Sequence, residues 1–219
     1  MLSVYDGFRE SYAIAPHQGV FKAMPNPAEF PWFRVRGQGQ LWHRTSISSL
    51  EAILRSGAIA PNTGCFKENS VQSDTCYSRH MQAVSLFDFD TSSEANVAEQ
   101  AWGHLQIRGQ HCSVLIGIRR EALEPAKYQS PREASGGVYR LRESNVARGE
   151  ALTLIPDIEA IYCGPIPTAA FTGLFLTDGG GRFYEVPFGP YAVAVLLKKG
   201  AEWRDDDERL KSERHVHGQ

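Results

Sequence analysis

Three short stretches carry residue types that can do chemistry. The first is His43-Arg44-Thr45, an imidazole, a guanidinium and a hydroxyl in a row. The second runs from Ser85 through Phe87 to Ser92, small polar residues interleaved with aromatics. The third is Glu150, which follows Arg148 and Gly149. Imidazole and hydroxyl groups give directed hydrogen bonds to a sugar. A guanidinium pairs with phosphate in a two-pronged fashion. A carboxylate stabilises developing positive charge or takes a proton. Each stretch also has a plain structural reading. A histidine at a strand end usually satisfies its neighbours, Thr91 to Glu94 has the spacing of a helix cap, and a glutamate opening a strand is usually exposed.

The elements that must position these residues follow from periodicity. Gln40–His43 reads as a short strand that delivers the histidine at its end. Ser46–Arg55 reads as one amphipathic helix, with Ile47, Leu50, Ile53 and Leu54 at spacings of three and four. Thr45 or Ser46 is its N-cap, and Gly57 stops it. The first stretch thus lies where a strand meets a helix N-terminus, whose free N–H groups favour an anion. Ala83–Phe89 alternates as a strand, and a helix is expected from Thr91 to about Gly103. Cys112–Ile118 is a continuous apolar strand, and Arg119–Leu123 a single helical turn. Glu124–Asn145 holds Pro125, Pro131, Gly136 and Gly137 amid charges and reads as irregular. Strands are expected at Glu150–Ile155 and Glu159–Cys163, with a turn at Pro156-Asp157. Thr168–Phe175 reads as a short helix, Asp178–Gly181 as a tight turn between Gly173–Leu176 and Phe183–Val186, and Pro190–Leu197 as a last apolar strand. The polar stretch 61–82 reads as a long loop.

The order of the three stretches resembles that of the ADP-ribosyltransferase superfamily. LWHRTSISSLEAILRSGAIAP is similar to its opening element. AVSLFDFDTSSEANVAEQ is similar to its second, an aromatic strand, a small-residue turn and a helix. ARGEALTLIPDIEAIYCGPIP resembles the third, in which a glutamate begins a strand. Within the superfamily the DarT-type DNA-modifying toxins are most similar, and RNA 2′-phosphotransferases share the fold. The resemblance spans residues 39–165. It implies an α+β fold of split mixed or antiparallel sheets with short flanking helices. It implies NAD as co-substrate, no metal, and transfer of ADP-ribose to DNA, RNA or protein by a toxin or effector. Carried onto this chain, His43 would bond the adenosine-side ribose of NAD, with Thr45 near the nicotinamide or its ribose. Ser85 and Phe87 would line the nicotinamide site, Ser92 would be the small polar residue of the second element, and Glu150 the catalytic carboxylate. Arg44 stands where many members have glycine; it either clamps the pyrophosphate or points to solvent. Arg79 is a positional candidate for the DarT-type arginine. The alternatives are an RNA 2′-phosphotransferase and a catalytically inactive nucleotide-binding or interaction domain.

Composition bounds these readings. The chain has 219 residues, 42% apolar and 22% charged, enough for one domain with a real core. A net charge of -2 gives no global support for nonspecific binding to nucleic acid or membranes. The four cysteines match no zinc spacing and read as reduced thiols of a cytoplasmic protein. No apolar run is long enough to span a bilayer. Residues 1–36, with four prolines and several aromatics, read as an extended arm, 37–198 as the main domain, and 199–219 as a charged tail, a solvated helix or disordered, of which 200–219 are expected to be dispensable.

From sequence, Glu150→Gln is expected to lower turnover of NAD on the order of 10²–10³-fold, the scale of one lost electrostatic stabiliser. The neighbouring Glu143 and Glu159 are expected to be equivalent surface carboxylates, whose glutamine variants stay within a few-fold of wild type. Rates of ADP-ribose transfer by the three variants check it.

Overall fold

A computed structural model describes residues 39–63, 76–90, 110–144, 152–155, 157–178, 182–186 and 188–217. The strands expected at residues 40, 84 and 113 pair with one another. β1 (Gln40–Thr45) lies between β3 (Val84–Phe87) and β4 (Ser113–Arg119). With β5 (Tyr128–Gln129), β6 (Glu159–Tyr162), β8 (Phe171–Thr177) and β9 (Phe183–Val186) they form one sheet in the order β5-β6-β3-β1-β4-β8-β9. Every pairing in it is antiparallel. A separate two-stranded ladder joins β2 (Ala58–Ile59) to β7 (Ile166–Pro167). The class is α+β with antiparallel sheets.

Helix α1 (Ile47–Ser56) forms as its periodicity demands. Of the two candidate caps, Ser46 is the one used: its Oγ accepts the Ser49 N–H at 3.0 Å. Gly57 ends the helix at φ 79°, and its N–H returns to the Ile53 carbonyl at 3.0 Å. A side chain other than glycine is strained in that left-handed conformation.

The sheet is buried on both faces, and alternation sorts its residues. One face carries Leu41, Val84, Leu86, Val114, Ile116, Leu174 and Leu176 into a cluster that also takes Leu50 of α1. The other carries Trp42, Phe87, Leu115 and Phe175, joined by Phe89 and Ile158. Beside these, Ile161 packs with Tyr77, Ala134, Val138, Leu152 and Leu154. Double burial explains why β4 reads as an unbroken apolar run rather than an alternating one: Ser113 to Ile118 are all buried.

Five expectations about local structure are corrected. The stretch read as irregular contains helix α3 (Pro131–Ser144). Pro131 occupies its first position, where the missing N–H costs nothing. Ser130 and Glu133 close a reciprocal cap, with Glu133 Oε2 accepting the Ser130 N–H at 2.8 Å. Gly137 is not a breaker here: a Cβ at this position would collide with the Tyr77 hydroxyl, so the glycine lets α3 lie against the short helix α2 (Tyr77–His80). Within the region read as loop, α2 is likewise helical. Residues 152–155 do not join the sheet; Thr153 makes one isolated parallel bridge to Cys76. Thr168–Ala170 is a 3₁₀ turn, after which Phe171 starts β8 instead of ending a helix. The hairpin of β8 and β9 forms as read, with Leu174 opposite Val186.

The fifth correction is the largest. The apolar run YAVAVLL enters a helix, α4 (Ala192–His217), that continues through the charged residues after Lys198. Ala192, Leu196 and Trp203 fall on one helical face and are buried in the main core cluster. Arg182 ties the helix down: it bonds Asp178 at 2.7 Å and Asp207 at 2.9 Å, and lies 5.0 Å over the Trp203 ring. The expected N-terminal arm and the helix expected from Thr91 lie outside the described residues. The segment after Gly200 is therefore expected to be required, contrary to the composition argument. Trp203→Ala should cost about 3–5 kcal/mol of stability, the usual scale for a buried tryptophan. Truncation after Gly200 should lower the melting temperature at least as much. Thermal denaturation of the two variants measures both.

Candidate functional site

The first sequence stretch is divided by the sheet that contains it. β1 pairs continuously with β4, His43 opposite Ile116, Arg44 opposite Leu115 and Thr45 opposite Val114. Successive strand residues point to opposite faces. His43 and Thr45 therefore belong to the face covered by α1, and Arg44 to the other.

Arg44 meets two further polar residues on its own face. β1 and β3 pair with Trp42 opposite Phe87, so antiparallel counting sets Arg44 across from Ser85. In the next pairing Phe87 lies opposite Glu159, the first residue of β6. The Ser85 hydroxyl donates to Glu159 Oε1 at 2.7 Å. The Ile155 N–H donates to Glu159 Oε2 at 2.7 Å, and the Glu159 N–H returns to the Ile155 carbonyl at 3.1 Å. Segment 152–155 thereby closes over the carboxylate. Its other anchor is Thr153, whose carbonyl accepts the Tyr77 N–H at 2.9 Å. Glu159 is 6% exposed, bonded by the Ser85 hydroxyl, with the half-buried Arg44 on the same sheet face.

Burial governs the electrostatics. It pushes the Glu159 carboxyl above the usual range, against the pull of the Ile155 N–H, the Ser85 hydroxyl and the Arg44 charge. Burial likewise lowers Arg44, and the negative charge of Glu159 offsets part of that. His43 is the clearest case: burial brings its imidazole from an ordinary 6.5 down to about 4. Its Nδ1 lies 3.0 Å from the Ser85 carbonyl oxygen, which accepts only. Nδ1 therefore carries the proton and Nε2 the lone pair, making His43 a neutral acceptor at pH 7. One residue, Ser85, bonds the imidazole through its backbone and the carboxylate through its side chain.

The other sequence candidates are placed as follows. Thr45 is buried at the end of β1. Phe87 is buried with its ring stacked on Phe89 at 5.7 Å between centroids. Arg79 is half-buried on α2, off the sheet. Ser92 and Glu150 lie outside the described residues. The expectation that Glu159 is an ordinary surface carboxylate is overturned by its burial and its two bonds. A signal for it was present. EAIY starts a strand in which both the odd and the even positions are apolar, and a glutamate in such a strand is buried with it. No group of three or more potential metal ligands occurs among the described residues. No helix among them is long and apolar enough to cross a membrane.

No known family and no curated protein matches the chain. Among solved structures, a double mutant of heat-labile enterotoxin superposes with a TM-score of 0.35 and 15% identity. The match spans 69% of this chain and 63% of the enterotoxin chain. Superposition at that level does not by itself establish a common fold.

The His43 geometry sets a pH dependence. In the unfolded chain the imidazole takes a proton below 6.5; in the folded chain it does so only below about 4. Between these values the unfolded state binds more protons, so stability from this group rises with pH and is lost as pH falls. The full loss is about 3 kcal/mol at the usual worth of a pKa unit. Glu159 acts in the opposite sense, its raised folded value removing stability as pH climbs above 4.5. His43→Asn, which keeps a donor for the Ser85 carbonyl, should lose the His43 part alone. Urea unfolding from pH 4 to 7 should show a shallower rise with pH in the variant. Equal slopes would mean that the imidazole titrates as if in water.

Proposed function

We propose that this chain is an NAD-dependent ADP-ribosyltransferase with the fold of that superfamily, transferring ADP-ribose to a macromolecular acceptor. The observation that carries the proposal is the buried Glu159 carboxylate, held by the Ser85 hydroxyl on the sheet face that also bears Arg44. Cleavage of NAD breaks the bond between ribose C1′ and the nicotinamide nitrogen, and the bonding pair leaves with nicotinamide. Positive charge grows on the ribose as this happens. A fixed carboxylate beside it is worth more in the transition state than in the ground state. The acceptor then supplies a lone pair to C1′ and loses a proton, which the carboxylate can take.

In this reading Arg44 faces the pyrophosphate from the sheet face that bears Glu159, while neutral His43, on the α1 face of β1, does not reach the same NAD and acts on the site through its bond to the Ser85 carbonyl. Ser85, Phe87, Ser92 and Arg79 complete the NAD contacts that the resemblance implies, and Thr45, implied with them, lies on the α1 face with His43. Two carboxylates compete for the catalytic role, Glu150 by its place in the resemblance and Glu159 by its geometry. We favour Glu159. Its closure beneath residues 152–155 requires that segment to lift away from Glu159, breaking the Ile155 N–H bond, for the ribose to enter. The same closure favours one other reading, an inactive nucleotide-binding or interaction domain in which Arg44 and Glu159 satisfy each other's charge.

Labelled NAD distinguishes these. Active protein incubated with a lysate should transfer label to a macromolecule, and separate nuclease and protease digestion identifies the acceptor class. Glu159→Gln keeps the shape and most of the hydrogen bonding but removes the charge. It should lower turnover on the order of 10²–10³-fold while NAD affinity holds. Glu143→Gln should stay near wild type. Glu150→Gln decides between the carboxylates: if it alone collapses the rate, the role belongs to Glu150. An inactive binding domain would show no transfer, yet an NAD-binding one would still gain about 2.7 kcal/mol at a hundred times the dissociation constant.

A further inference from the structure

A second buried carboxylate lies on the opposite face of the same strand pair. Asp88 is fully buried, and follows Val84 and Leu86 in the alternation of β3. It accepts from both terminal nitrogens of Arg120, at 2.9 and 2.8 Å, and from the Asp90 N–H at 3.2 Å. The Tyr128 hydroxyl donates to its Oδ2 at 2.5 Å and accepts from Arg120 at 3.2 Å. Asp90 lies a further 3.8 Å from Arg120. Every member of the group is paired, as a buried ion pair requires.

The topology makes this more than a local ion pair. Tyr128 is on β5 and Asp88 at the end of β3, and the strand between them is β6. Two strand spacings amount to roughly 10 Å. The tyrosine therefore reaches across β6 to find its partner. Ala160, a fully buried residue of β6 in the same core cluster, leaves room for the ring. The Asp88 N–H also donates to the Ile158 carbonyl at 2.8 Å, beside Glu159.

We propose that Tyr128, Asp88 and Arg120 are positioning residues for Glu159, forming a strap across β6 that fixes the register of the strand carrying it. Register matters here in an all-or-none way. A slip of one residue would turn Glu159 to the far face and break its bond to Ser85. β6 pairs with β3 through four residues and with β5 through two, a short ladder to specify register alone. The strap adds a directional tie between the two flanking strands. It rests on the proposed activity only where kinetics are read.

The test is the titration of Glu159 followed by NMR with carboxyl-labelled glutamate. Tyr128→Phe keeps the ring and deletes the hydroxyl. Arg120→Lys keeps the charge and loses the paired donors. Loosening the strap weakens the two donors that favour the Glu159 carboxylate, so its midpoint should rise by at least about half a unit in each variant. Tyr162→Phe is the control: it deletes a hydroxyl from another buried tyrosine, on β6 itself, and should leave the midpoint in place. In NAD turnover the two strap variants should lose kcat with little change in KM. Titration decides the strap even if the protein turns over no NAD. An unchanged Glu159 midpoint in folded Tyr128→Phe and Arg120→Lys overturns the inference, as would an equal shift in Tyr162→Phe.

Discussion

Burying one carboxylate inside a sheet constrains most of what surrounds it. Glu159 leaves water with only 6% of its surface exposed, so its oxygens must be met by protein donors. Ser85 and the Ile155 N–H meet them. Ser85 can do so only because β3 and β6 pair in a register that sets it diagonally across from Glu159. Ile155 can do so only because residues 152–155 leave the sheet and fold back. The Arg44 guanidinium is admitted to the same interior because a negative group is already there to oppose its desolvation. The sheet order, the irregular path before β6 and the placement of a cation on β1 are thus three sides of one requirement.

Both faces of the β3–β6 pair meet that requirement in different ways. On one, Glu159 is bonded by a hydroxyl and a backbone N–H, with a cation acting on it. On the other, Asp88 is gripped by a two-pronged guanidinium and a phenol. The Asp88 group has its donors saturated and suits a fixed tie. The Glu159 group depends on one hydroxyl and one backbone N–H from a segment outside the sheet ladder, and suits exchange with an incoming ligand. Two acidic residues of similar burial therefore carry different chemistry, set by what donates to them.

Much of the fold was legible in sequence where local and tertiary preferences agree. α1 has amphipathic spacing, a serine cap and a terminal glycine, and it formed as read. β1, β3, β4, β6 and the β8–β9 hairpin also formed at the expected places. The failures occur where one residue has two structural meanings. Pro131 and Gly137 read as breakers, yet proline is at home in a first helical turn and Gly137 makes room for Tyr77. The apolar run before Lys198 read as a strand because its helical partners, Trp203 above all, lie beyond a change in composition. The site was half legible. His43, Arg44 and Ser85 stood out by type and order, but which face each occupies depends on register. Glu159 was overlooked because a strand-opening glutamate is ordinarily exposed, although the apolar residues at both alternations of EAIY and the pairing of β6 on both edges mark this one as buried.

The placement of α4 has a consequence for how the chain comes to its native state. Leu196 and Trp203 complete the same core cluster that begins with Leu41 and Leu50. They are synthesised after every strand of the sheet. While the ribosome is still adding this helix, the face of the sheet that α4 will cover has no lid, and its valines, isoleucines and leucines are open to other chains. Domains emerging from the N-terminus first are vulnerable in that interval. The helix therefore docks onto strands that all precede it in the chain. A chain stalled just before residue 203 would hold every strand but lack the cover of α4, a natural target for chaperones that bind exposed apolar surface.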